Sequence, residues 1–77
     1  MTIEELKAAA AAVAQELQTA GDAPITGGLR DRFITVRAEL FQRGVYDPVL
    51  VRFDSATVAQ ASTREVAEEL AKVAETL

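Results

Sequence analysis

The sequence has no cysteine, no histidine and no tryptophan, and only two prolines. Without cysteine, no disulfide can staple a small fold and no thiolate can hold zinc. Without cysteine and histidine, the usual thiol nucleophile and the side chain most often used as a general base are both missing. Aromatic residues are scarce and are confined to Phe33, Phe41, Tyr46 and Phe53. There is also no long apolar run. Ala8 to Ala14 is too short and too weakly apolar to span a bilayer. Glu4 and Glu5 precede it, where a secretory leader would be basic. The expected setting is the cytoplasm, with no membrane partner.

What is present is a 77-residue chain that is 49% apolar, much of it alanine. This length allows one helical domain, residues 1–77, and a domain so small buries a modest fraction of its surface. Alanine favours helix and buries little area, so the helical content should be high and the core thin. Association with another chain is one remaining way to add buried surface. Twelve acidic residues against eight basic ones give a net charge of −4. That balance argues against a nucleic-acid module working by counterion release. The charge is uneven. Both terminal segments are acidic, whereas Gly28 to Phe53 holds Arg30, Arg32, Arg37, Arg43 and Arg52 with every aromatic residue.

Three helices are written in the spacing. Thr2-Ile3-Glu4-Glu5 has the form of a capping box, and Gly21 stands where a left-handed residue would end the helix. Leu6, Ala10, Val13 and Leu17 share one face, with Ile3 beside them. A linker follows through Pro24 and two glycines, with Thr26 as N-cap of the next helix. That helix presents Leu29, Phe33, Val36 and Leu40 on one face and stops at Gly44, which should take positive φ. Phe33, in mid-stripe, is the expected centre of the core. Ser62-Thr63-Arg64-Glu65 repeats the capping-box form and opens a last helix with Val66, Leu70, Val73 and Leu77 on its face. The shared spacing predicts an all-α fold, a small three-helix bundle.

Between the second and third main helices, Pro48 to Phe53 is strand-like in composition. Asp47-Pro48 is also a good helix opening, with Asp as N-cap and Pro at the first position. A lone strand would leave its backbone groups unpaired, so an additional short helix is expected. The alternative is a strand paired with another chain. Asp54-Ser55-Ala56-Thr57 should turn the chain or cap a further short turn through Val58.

Little here suggests chemistry. Asp47 and Asp54 flank an apolar segment, but caps explain them without a cleft for paired acid and base. Glu65, Glu68 and Glu69 read as a solvated face, with Glu68 placed to pair with Lys72. Thr26-Gly27-Gly28 lacks the spacing of a phosphate loop. No catalytic, cofactor-binding or metal-binding residues are expected, and the chain is not expected to be an enzyme.

Ser62 to Leu77, with its capped start followed by Val66-Ala67 and Leu70, resembles the first helix of a helix-turn-helix, but no recognition helix follows within these residues. Asp54-Ser55, in a short acidic helical chain, is similar to the acyl carrier proteins. Their Asp-Ser-Leu motif carries phosphopantetheine on the serine. Here Ala56 follows instead of leucine, and few residues remain downstream for the helices such a carrier has. An acyl-carrier-like role at Asp54-Ser55 is the competing reading, and nucleic-acid binding through the arginines of the second helix is a third.

The favoured reading is a small non-enzymatic interaction or assembly module, an accessory subunit or a homo-oligomer. Its candidate partner-binding residues lie on the second helix. Ile34 and Phe41 are two turns apart and off the Leu29–Leu40 stripe, and Arg30 and Arg37 run along the seam between. Either the short helix covers this second patch, or the patch meets a protein partner or another copy of the chain. Aromatic and arginine residues are enriched in such contacts.

Overall fold

The computed structural model describes residues 1–77 and is entirely helical, with no strand. Helix α1 spans Ile3–Ala20, α2 spans Gly27–Gln42, α3 spans Pro48–Arg52 and α4 spans Thr63–Thr76. A single 3₁₀ turn, Val58–Gln60, lies between α3 and α4. The short helix α3 decides the open question at residues 48–53 against a strand. Asp47 Oδ1 accepts from the Val49 and Leu50 amides at 2.9 and 3.3 Å, and Pro48 at the first position has no amide to satisfy.

The bundle is asymmetric. α1 lies against α4 along most of its length, meets α2 over a shorter stretch, and α3 leans on α4. Side-chain size accounts for this. The α1 and α4 faces bury Ala10, Ala14, Ala67 and Ala74, so their backbones can approach closely. The inward face of α2 carries Phe33, Val36 and Leu40, which stand the helix off and fill the space it leaves. Phe33 is 1% exposed and is the largest fully buried side chain, as expected of the core centre. Leu29 and Leu77, at the ends of their stripes, are only half-buried, and Ile3 is exposed.

Two core members come from outside the α-helices. Ile25 in the α1–α2 linker and Val58 in the 3₁₀ turn are both fully buried. Thr63 explains the placement of the linker. It is buried, and its hydroxyl donates to the Ala23 carbonyl at 2.6 Å. Asp22 meets Arg64 at 3.0 Å beside it, so the linker is fixed to the start of α4.

The helix ends test the local chemistry. The Thr2–Glu5 capping box is complete, with bonds of 3.1 and 3.0 Å. The second box is half-formed. Ser62 Oγ accepts from the Glu65 amide at 3.4 Å, but the Glu65 carboxylate turns to Arg52 at 3.9 Å. Thr26 stands at the N-cap, yet its hydroxyl makes no capping bond. Gly27 enters α2 at φ 62, and this bend replaces the first-turn geometry on which a side-chain cap depends. Gly44 has φ 79, and the Val45 and Gly44 amides donate to Leu40 and Phe41 carbonyls, both at 3.0 Å. These are the two bonds of a Schellman ending. Lys72 pairs with Glu69, one turn back at 3.5 Å, rather than with Glu68.

Candidate functional site

The end of α3 organises the side chains around it. A five-residue helix leaves its last carbonyls without intrahelical donors. Arg37, from the middle of α2, supplies them. Its Nε donates to the Leu50 carbonyl at 2.7 Å and Nη2 donates to the Val51 carbonyl at 3.3 Å. A cation there also suits the negative end of the helix dipole. The guanidinium carbon lies 4.5 Å above the centre of the Phe41 ring, within cation–π range. Phe41 in turn meets Tyr46, with ring centroids 5.5 Å apart and planes tilted by 41°. The result is a continuous row: α3 end, Arg37, Phe41, Tyr46.

Of the four residues expected at a contact surface, Arg37 and Phe41 are brought together here. Ile34 and Phe41 are half-buried and packed on the core, and Arg37 and Tyr46 lie against the Phe41 ring. Arg30 faces Asp31 at 3.8 Å and is not in contact with this row. The exposed apolar members are two residues the periodicity did not single out. Tyr46 is 65% exposed and Val51 is 48% exposed. Val51 points away because Val49 and Leu50 take the inward side of α3 and Phe53, just past its end, also packs on the core. The signal for Tyr46 was available. Gly44 ends α2 and Val45 packs back on the core, which leaves the next side chain to project outward.

The carboxylates have structural work. Asp47 caps α3. Asp54 Oδ1 accepts from the Ala56 and Thr57 amides and from the Thr57 hydroxyl at 2.9, 3.1 and 3.1 Å. The Ala56 amide, then the Thr57 hydroxyl, hold the Asp54 carboxyl below its ordinary range. Thr2 does the same for Glu5, first through its backbone amide and then through its hydroxyl. No three carboxylates converge as metal ligands would. A cleft of about 310 Å³ between α1 and α2 has an apolar floor of Ala9, Ala12, Val13 and Val36 and is bordered by the Glu16–Arg32 ion pair. It is open, and its polar lining residues are Asp31, Thr35 and the paired Glu16 and Arg32.

The chain matches no protein-family model, no curated protein and no solved structure. No helix is long and apolar enough to cross a membrane.

Proposed function

We propose that this chain is a small non-enzymatic protein–protein interaction module, an accessory or self-assembling subunit acting in the cytoplasm, that docks through the α2–α3 face. One observation carries the reading. A tyrosine and a valine stand exposed beside an arginine–phenylalanine pair, in a protein that has four aromatic residues in all. Tyrosine and arginine anchor interfaces because each combines apolar area with a polar group, at low entropic cost for tyrosine. The Arg37 guanidinium is already held by two carbonyls, so less freedom is lost when a partner arrives. Catalysis finds little support, since Asp47 and Asp54 are engaged with backbone amides. Nucleic acid is not among the proposed partners, because the net charge is −4.

The test is the native mass of the protein isolated from its own cell, compared with Tyr46→Asp. The wild type should travel in a species larger than the 8.2 kDa chain and the variant should not, with its helical spectrum kept. Identical monomeric profiles would overturn the docking reading. The same sample addresses the acyl-carrier-like reading, for which Ser55 is exposed in the turn after α3. That reading requires a covalent pantetheine arm on Ser55, visible as added mass.

A further inference from the structure

The path of the chain from α2 to α4 is set by how the helices run. Asp22 and Ala23, just past α1, are fixed to Arg64 and Thr63 at the start of α4, and Arg43, just past α2, donates to the Met1 carbonyl ahead of α1. Both α2 and α4 are therefore antiparallel to α1 and parallel to each other. The chain has to return the length of the molecule to join them. It does so along the side where α2 and α4 hardly meet. Val45 to Asp47 lie beside Val73 and Thr76 near the end of α4, and Arg52 reaches Glu65 in its first turn. Leu50 and Val58 are the fully buried side chains of this stretch, and Val45, Val49, Phe53 and Ala61 also pack on the core. Two sides of the bundle, α1–α4 and α1–α2, are closed by helix on helix, and the third is closed by residues 45–61.

This third side is held less firmly than the other two. Its helical turns, Pro48–Arg52 and Val58–Gln60, are too short to keep their shape without the packing beneath them. Two bonds from Arg37 tie it to α2, and the exposed Arg52–Glu65 pair, a weak kind of tie, links it to α4. The turn at Asp54 to Thr57 makes its hydrogen bonds within the segment. We infer that residues 45–61 are a strap that opens as one unit while α1, α2 and α4 stay folded, uncovering the apolar seam between α2 and α4. Segments with few buried side chains and short hydrogen-bond ladders open at a fraction of the cost of global unfolding. Opening also takes the docking face apart, since Tyr46 and Val51 leave with the strap while Arg37 and Phe41 stay on α2. That consequence rests on the docking reading above; the strap itself does not.

The chain has no cysteine, so a single added thiol reports on one place. Leu50→Cys and Val58→Cys put a thiol at each buried anchor. Labelling of the native protein, under conditions where reclosing outruns labelling, measures how often that anchor is uncovered. Exchange of the slowest α1 amides in the same variant measures global unfolding. Each thiol should be uncovered on the order of tenfold more often than those amides, or above. The ratio should be the same in both variants, because a smaller anchor weakens the closed form against the open and unfolded forms alike. Ala14→Gly, added to each, weakens α1 equally with the strap open or closed. It should speed α1 exchange several-fold and leave thiol labelling unchanged. Thiols uncovered no more often than the α1 amides, a ratio that differs between the two anchors, or labelling that rises with Ala14→Gly as fast as α1 exchange would each overturn the inference. If Leu50→Cys loses its helical spectrum, exchange of the Val51 amide, bonded to the Asp47 carbonyl at 2.9 Å, takes its place. No partner enters the measurement, so a failed strap leaves the docking reading standing, and a monomeric native profile removes docking but not the strap.

Discussion

The α1–α4 half and the α2–α3 half hold the molecule together by different means. The first is alanine packed on alanine, two long helices close together, acidic outside and capped by threonine and serine. The second is a few large side chains and one arginine, with a five-residue helix that would not stand alone. Close approach gives the first half many small contacts and little to offer a partner. The second half concentrates buried volume at Phe33 and leaves Tyr46 and Val51 outside. A small protein that must both fold and bind can thus separate the two tasks along its chain.

The comparison can be broken at its largest side chain. Phe33→Ala removes a fully buried ring and should cost about 3–5 kcal/mol. A domain of this length has about 4–12 kcal/mol in total, so the variant should melt far below the wild type or fail to fold. An unshifted thermal transition would show that α2 does not depend on Phe33. The opposite change probes the other half. Ala67→Leu adds volume where α1 and α4 are closest and should cost about 1–3 kcal/mol by overpacking, read as a lower denaturation midpoint. If the larger residue is neutral there, the seam is looser than described.

Arg37→Met keeps much of the apolar stem and removes the guanidinium. It should cost about 1–2 kcal/mol through the two unsatisfied α3 carbonyls. Faster amide exchange should be concentrated at residues 49–53, with α1 and α4 little changed. Uniform acceleration would mean that Arg37 supports the whole bundle. The smallest effect concerns acid. Glu5 and Asp54 have folded pKa values below their ordinary ones, so their contribution is present above the unfolded value of about 4 and is lost as pH falls through the folded value. Helicity and thermal stability should hold from neutral pH to about 5 and decline below about 4. Glu5→Gln with Asp54→Asn, which keep the acceptor oxygens, should flatten that part of the decline. Identical acid profiles would show that neither cap is linked to folding.

Much of the fold was legible in the sequence. Period-3.6 stripes located Leu6 to Leu17, Phe33 to Leu40 and Val66 to Val73 in the core, and Gly44 was read as a left-handed terminator. Helix was favoured over strand at residues 48–53 because a lone strand would leave its backbone groups unpaired, and Asp47-Pro48 supplied a helix opening whose chemistry acts within a few residues. Ile25 and Val58 were missed because they lie outside any periodic run and are placed by long-range contacts such as Thr63 to Ala23. The candidate site was read in part. Arg37 and Phe41 share a face of α2 and could be paired from spacing alone. The direction of α3, and with it the use of Arg37 as its cap and the exposure of Val51, depends on tertiary packing that no local pattern encodes. Arg30 and Ile34 were grouped with them by the same spacing, but Arg30 faces Asp31 and Ile34 packs on the core.

The most direct test of the division between a closed half and a docking half is an amide-resolved magnetic resonance spectrum, recorded first for the dilute chain and then with its partner or at rising concentration. The shifts that move should be those of Tyr46, Val51 and their neighbours Arg37 and Phe41. The buried residues of the α1–α4 seam should stay still. Movement confined to other surfaces, or a spectrum that never changes, would contradict the account.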